Sequence, residues 1–288
     1  MHVVINLNKP PGITSRQAVT KVQRMLGAGK AGHAGTLDPQ ATGILLVCLN
    51  EATKITRFLM DMDKQYKARI KLGERTDTYD AGGKVIEKKD ISLLSETDLL
   101  DVVQEFKGPI KQKPPMYSAV KIGGKTLYKL ARKGVEIDRP DRTVHVYDIR
   151  ITAIDIPYFD VTLSCSKGTY VRSLCDDIGV KLGTGAHMVS LERTAVGFFD
   201  IESSFSFDDL AANEELFYSI DHALVKLPEI ELVEADYQRA KHGMKIVSES
   251  FNLYVGEFVR MKDPEGKLFA VGRVESNSIS IERMLNLT

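Results

Sequence analysis

Residues 27–49 read GAGKAGHAGTLDPQATGILLVCL. Two kinds of chain meet here. Residues 27–41 form a long Gly-rich loop holding one imidazole, His33, and one carboxylate, Asp38; behind them ILLVCL reads as a buried strand. A loop of that length inside a compact chain is uncommon unless it is functional. Pro39 pushes Asp38 out of the α region and restrains it. With an ordinary pKa of about 3.9 the carboxylate is ionised at neutral pH, which suits a nucleophile or base better than an acid. An Asp-Pro pair equally fits an Asx turn or a helix cap, and both readings stay open at this point.

Outward from the loop, strands and helices follow without regular alternation. VVINLN at 3–8 alternates as a strand until Lys9-Pro10-Pro11-Gly12, which cannot continue it. Thr14 with Gln17 predicts a capping box, and Ala18, Val19, Val22, Met25 and Leu26 give the helix an apolar face ending at Gly27. ATKITRFLMDM predicts another helix, and Tyr66, Ala68, Ile70 and Leu72 alternate in a strand stopping near Gly73. Ser95 with Asp98 caps a helix over 96–106, halted by Gly108. TVHVYDIRITAI, FDVTLSCS and MVSLERTAVGFF read as strands and YVRSLCDDIGVKL as a helix. The mixture predicts an α+β fold, a mixed or mostly antiparallel sheet flanked by helices. Residues 1–229 read as this large domain. Residues 230–288 read as a small, separate β-rich domain, with KIV, YVGEFVRMK, LFAVGRVE and SISIE as strands and Asp263-Pro264-Glu265-Gly266 as a hairpin turn.

Composition excludes several classes. Of the 288 residues, 43% are hydrophobic and 27% charged, ordinary for a soluble globular chain. No apolar stretch approaches the roughly 20 residues that span a bilayer, and the opening MHVVINLNKPPG has no leader pattern, so the protein reads as cytoplasmic with no membrane partner. Three cysteines, Cys48, Cys165 and Cys175, show no CxxC spacing and read as buried thiols rather than a disulfide framework or zinc site. The six histidines lack metal-ligand spacing, so no metal is expected. GAGKAGHAG is not a phosphate-binding P-loop, and no nucleophile elbow is present.

Formal net charge is zero, yet its distribution is uneven. Residues 107–142 carry a net charge of +7 and residues 200–236 a net charge of −10. A polyanion responds to the local field within about a Debye length, roughly 10 Å, so the first segment suits nucleic acid; a solvated charged face is the alternative. That segment is proline-rich at its start and broken by Gly123, Gly124 and Gly134, and it reads as a projecting insertion with a short hairpin and helix.

Two further residues could carry chemistry. In SKGTYVR, Ser166 or Thr169 could cap the helix, putting Arg172 in its first turn, where a cation opposes the helix dipole at about 0.3–1 kcal/mol. A nearby carboxylate would offset that cost, unless Arg172 points to solvent. Tyr66, between Lys64 and Lys67, suits a base-stacking platform or a ring packed in the sheet.

Taken in order, NLNKPPGITS, AGHAGTLDPQATGILLVCL, DKQYKARIKLGERTDTYDA, KQKPPMYSAVKIGGKTLYKLARKG, CSKGTYVRSLCDDIG and HMVSLERTAVGFF closely resemble the TruB-type tRNA pseudouridine synthases over nearly the whole chain. The resemblance implies isomerisation of uridine-55 in the tRNA T loop without a cofactor. By the same likeness, Asp38 is the catalytic carboxylate, Arg172 its ion-pair partner, and Tyr66 the residue stacked on the target base, its hydroxyl a late base for the C5 proton. His33 presses on the RNA as the nucleotide flips, Leu191 is an apolar wall, Tyr170 lines the substrate site, Asp80 orders the pocket or the flipped strand, and Lys9 with Pro10 shapes its floor. The insertion grips RNA, and residues 230–288 form a PUA-like RNA-binding module. The partner implied is the tRNA T stem-loop, bound by a monomer with no obligate protein partner. Three rivals differ in what they need: a non-catalytic RNA-binding protein has no use for Asp38, Tyr66 and Arg172 together, a guide-RNA-dependent enzyme should carry long basic tails, and a hydrolase needs a second carboxylate or a metal cluster.

Overall fold

The computed structural model describes residues 1–118, 121–131, 134–135, 137–212, 217–247 and 253–287. Parts of the basic insertion and of the acidic stretch, including Arg132, Lys133, Glu136, Glu214 and Glu215, lie outside the described residues.

The main sheet begins with β1 (Val3–Lys9), β2 (Ala31–His33), β3 (Thr42–Leu49) and β4 (Lys64–Leu72), with helix α1 (Ser15–Met25) between β1 and β2. A small ribbon, β5 (Glu74–Thr76) and β6 (Val85–Lys88), follows. Next come β7 (Gly108–Gln112), the hairpin β8 (Lys121–Ile122) and β9 (Lys125–Thr126), then β10 (Arg142–Asp155), β11 (Tyr158–Cys165) and β12 (Ala186–Val196). The remaining helices of this part are α2 (Thr56–Met60), α3 (Glu96–Gln104), α4 (Leu127–Ala131) and α5 (Val171–Lys181). Strands run side by side as β1-β3-β12-β4-β11-β10-β7, antiparallel except for the β3–β12 pair. The α+β class and mixed sheet expected from the sequence are what the chain forms.

Burial follows the period-2 geometry of strands. In β3, Leu45, Val47 and Leu49 enter one apolar cluster, while Ile44, Leu46 and Cys48 enter another on the opposite face. A strand covered on both faces reads as a continuous apolar run. Its neighbour two places along, β4, buries alternate residues, and Tyr66, Ala68, Ile70 and Leu72 all face the first cluster. Both predicted capping boxes form, Thr14 with Gln17 and Ser95 with Asp98. The Gly-rich loop differs from expectation by containing β2, paired antiparallel to β3, and ATKITRFLMDM begins as a 3-10 turn from Asn50 before α2.

Short strands β13 (Phe199–Asp200), paired with β12, and β14 (Tyr218–Ser219), paired with β1, complete the main sheet, and a second sheet is built from β15 (Glu229–Glu231), β16 (Ile246–Val247), β17 (Phe258–Lys262), β18 (Leu268–Val274) and β19 (Ser278–Met284). It is not free of the first. Leu268, Val271 and Leu285 join the cluster containing Ile44 and Phe58, and Arg57 pairs with Glu282 at 2.8 Å while lying over the rings of Phe58 and Phe258. Arg260, nearly buried, pairs with Asp221 at 2.7 Å and Glu229 at 2.9 Å, closing the same junction. Among the described residues no helix is long and apolar enough to cross a membrane.

Helix α5 lies unusually close to β12: a Cβ on Gly179 would fall 2.1 Å from the backbone nitrogen of Ala186. Helix propensity alone predicts that Gly179→Ala stabilises by about 1 kcal/mol. Backbone cannot move aside as a side chain can, so we expect the opposite sign, a loss of about 1–3 kcal/mol, read from the urea midpoint.

Candidate active site

Three separate contacts position Asp38. Leu37, just before it, is buried in the core, and its N–H donates to the Ser15 hydroxyl at 2.8 Å while that hydroxyl donates back to the Leu37 carbonyl at 3.0 Å. The Asp38 carbonyl accepts the Ala41 N–H at 3.1 Å, turning the chain into β3. Gly12 donates to the Pro39 carbonyl at 2.9 Å, which ties on the Lys9–Gly12 turn. The side chain is thus neither a cap nor an Asx turn among the described contacts. It is held by Arg172.

Arg172 is in the first turn of α5 and buried. Its Nε lies 2.9 Å from Asp38 Oδ2 and its Nη2 donates to Asp38 Oδ1 at 3.0 Å, a two-pronged fork. Nη2 also reaches the Tyr117 carbonyl at 2.8 Å, while Nη1 meets Asp80 Oδ2 and the Thr78 carbonyl at 3.4 Å each. These acceptors offset the adverse helix dipole. Asp80 is itself set by the Thr78 hydroxyl at 2.7 Å and the Gly82 N–H at 3.0 Å. Between them Tyr79 takes a left-handed φ of 64°, a conformation that costs a non-glycine residue about 1–3 kcal/mol. Its carbonyl accepts the Met188 N–H at 3.0 Å, fastening the loop to β12.

The expected caps of α5 do not form. Tyr170 is the N-cap and uses no side-chain cap; Gln112 on β7 closes the end instead, accepting the Tyr170 N–H at 2.9 Å and donating to its carbonyl at 3.0 Å. The Ser166 hydroxyl accepts the His145 N–H and Thr169 donates to the Ser166 carbonyl, so both predicted caps are spent on the preceding turn.

Burial pushes the Asp38 carboxyl above its ordinary range; Arg172 opposes this, Asp80 adds to it and Lys9 again opposes it. Lys9 has no exposed surface, and its ammonium donates to the carbonyls of Pro10 at 2.8 Å, Ile13 at 3.0 Å and Pro39 at 3.1 Å. Burial lowers its pKa to about 8, with Asp38 raising it and Arg193 lowering it. Lys9 therefore ties the Pro10–Ile13 turn to the carbonyl of Pro39, next to Asp38. His33, on β2, is pushed toward its neutral form by burial and then by Arg193, against a backbone hydrogen bond to Gly35. Tyr66 is buried on β4 in the same apolar cluster as Leu37 and Leu191, and Leu191 lies opposite Ala68 on the neighbouring strand. Of the residues singled out in the sequence, Asp38 and Asp80 both touch Arg172; Lys9 and Tyr66 share the field of Asp38; Tyr170 serves through its backbone at the helix start.

One buried cation, Arg193, escaped the sequence reading, and a second, Lys64, was read there only as a charge flanking Tyr66. Arg193, 2% exposed, donates through Nε to the Ile44 carbonyl at 2.7 Å and through Nη2 to the Gly35 carbonyl at 3.1 Å. It shares the inward phase of β12 with Leu191 and Ala195, a charge where a core residue belongs, and that was its available signal. Lys64, also buried, donates to the Met60 and Met62 carbonyls, and burial lowers its pKa to about 8. The cysteines are buried as expected, with burial pushing the Cys48 thiol up to about 12 and Cys165 up to about 11.

Residues 23–171 match the model of the TruB family pseudouridylate synthase N-terminal domain, and residues 172–226 that of the tRNA pseudouridylate synthase B C-terminal domain. The chain is 41% identical to the tRNA pseudouridine synthase B of Clostridium tetani, covering 99% of this chain and 100% of that one, and 40% identical to that of Chromohalobacter salexigens, covering 98% and 94%. Among solved structures it resembles the one titled "Crystal Structure of a Cbf5-Nop10-Gar1 Complex" at a TM-score of 0.78 and 28% identity, covering 98% of this chain and 84% of the other.

Proposed function

This chain belongs to the TruB family of pseudouridylate synthases, and from that premise we propose that it converts uridine-55 in the T loop of tRNA to pseudouridine. The N1–C1′ bond breaks, the uracil turns in the pocket, C5 bonds to C1′, C5 gives up its proton and N1 takes one. Ordinary glycoside hydrolysis uses two carboxylates, one to protonate the leaving group and one to attack or activate water. Here the base stays and water is kept out, so one carboxylate suffices.

The observation that carries this reading is the fork of Arg172 on Asp38, a carboxylate held by two N–H groups with about a third of its side chain still accessible. Arg172 keeps it ionised and aimed. Tyr66 stacks on the target base, Leu191 and Tyr170 wall the site, and Asp80 holds the far side of Arg172. His33, in its neutral form, presses on RNA as the nucleotide leaves the stack. Lys9 and Pro10 keep the floor in place. The segment 107–142 clamps phosphates and closes on Gly123, Gly124 and Gly134, each at positive φ. The unit at 230–288 is a PUA-like second RNA contact, and the acidic stretch at 200–236 faces away from phosphate. We read it as a cytoplasmic monomer acting without guide RNA or an obligate protein partner; higher identity to the tRNA pseudouridine synthases than to the protein solved in a multi-subunit complex supports its acting without such a partner.

The test is release of tritium from T-arm RNA carrying the label at C5 of uridine-55 only. Stoichiometric release is expected. RNA that binds without losing tritium would replace the enzyme with an RNA-binding protein, and release only from uridines elsewhere would move the target.

A further inference from the structure

Arg193 has no part in the scheme above. It is nonetheless a buried guanidinium, and among the described residues it makes no ion pair. Burying an unpaired charge is expensive, so its surroundings must compensate. Two carbonyls do so in part, Ile44 from β3 and Gly35 from the loop that carries His33 and Asp38.

The sheet register shows what else it meets. Lys9 of β1 lies opposite Gly43 of β3, Gly43 opposite Arg193 of β12, and Arg193 opposite Tyr66 of β4, so one row across the sheet holds all four. Directly opposed residues on neighbouring strands have Cβ atoms about 4.5–5.5 Å apart. Gly43 has a φ of 92°, and a Cβ there would lie 2.3 Å from the Arg193 carbonyl oxygen, so β12 approaches β3 closely at this row. Arginine has five N–H donors, more than the two carbonyls use. Tyr66 stands directly opposite it on β4. Burial pushes the Tyr66 hydroxyl up, and the charge of Arg193 opposes the push, with its hydrogen bonding acting the same way; Cys165 and Asp38 are the other ionisable groups acting on it.

We propose that Arg193 is a positioning residue for Tyr66, holding the phenol hydroxyl so that the ring is fixed in the plane the target base meets, and tying it to the loop that carries Asp38. This rests on the pseudouridine synthase reading. One residue then couples the stacking ring and the catalytic carboxylate, although they sit on different elements.

Arg193→Lys keeps a cation and loses the planar fork, and Arg193→Met keeps volume without charge. Single-turnover tritium release at saturating RNA should fall about tenfold in Arg193→Lys and about a hundredfold in Arg193→Met, with RNA affinity within about twofold of wild type. In a Tyr66→Phe protein, adding Arg193→Lys should cost less than about twofold, because no hydroxyl remains to hold. Equal losses in both backgrounds, or a loss confined to affinity, would overturn the proposal. A readout independent of activity uses 3,5-difluorotyrosine in place of Tyr66, followed by fluorine NMR without RNA. Removing the cation by Arg193→Met should raise its titration midpoint by about one pH unit, while Arg193→Lys stays near wild type; an unmoved midpoint in the Met variant would sink the contact. If the wild type releases no tritium, the functional reading fails while this titration still decides whether Arg193 acts on the phenol. Should Arg193→Met not fold, the lysine variant alone and with Tyr66→Phe carries the test.

Discussion

Asp38→Asn protein is expected to bind T-arm RNA within about threefold of wild type and to release tritium at least about 10⁴-fold more slowly. The amide preserves the size and one acceptor oxygen, so the Arg172 Nη2 or Nε contact survives in part, and the loop stays fastened by Ser15, Gly12 and Lys9. What is lost is the negative charge, and with it the capacity to act as a nucleophile or base. Single-turnover rates and filter binding on the same preparations separate the two effects. A residual rate within tenfold of wild type would remove Asp38 from the chemistry while leaving the family assignment intact.

The second large effect comes from Arg172. Arg172→Met removes the main cation opposing burial of Asp38 and leaves that carboxylate facing Asp80. We expect single-turnover release at pH 7 to fall about 10²–10³-fold, because fork geometry and ionisation are lost together. Arg172→Lys should recover only part, since an ammonium is a point charge and cannot fork a carboxylate. The pH profile distinguishes the two contributions. In wild type the Asp38 pKa is already raised, burial being the largest cause, so the acid limb of the rate should lie above the ordinary aspartate value of 3.8. Loss of the Arg172 charge moves it further upward in Arg172→Met. An acid limb that stays in place would show that Arg172 aims Asp38 without governing its ionisation. The same raised pKa has a stability sign: ionised Asp38 opposes folding, a cost present above its folded pKa and relieved as pH falls through it. The site is paid for by the rest of the fold.

Local signals in the sequence transferred well where short-range physics decides. The two capping boxes formed because cap and third helical residue are neighbours in the chain, and β4 formed because alternation at 66, 68, 70 and 72 allows only one face to be buried. The turn at Asp263-Pro264-Glu265-Gly266 joins β17 to β18 as read, with the Gly266 N–H donating to the Asp263 carbonyl at 2.9 Å. The start of α5 went differently. Ser166 and Thr169 have the right chemistry for a cap, yet Gln112, 58 residues earlier than Tyr170, closes that end. Local propensity cannot register a side chain arriving from another strand.

Taken by itself, the sequence determined the type of the long, strongly periodic elements, the mixed α+β class, the burial of the cysteines, and Asp38 as a carboxylate in a restrained loop. Only tertiary structure decided how that carboxylate is held. Arg172 is 134 residues from Asp38, and their fork exists because the fold brings the start of α5 to the loop that leads into β3. The row joining Lys9, Gly43, Arg193 and Tyr66 draws on four strands whose register no local pattern specifies. Periodicity tells which face of a strand is buried; which partner stands opposite depends on sheet order and register, and both are settled when the whole core closes.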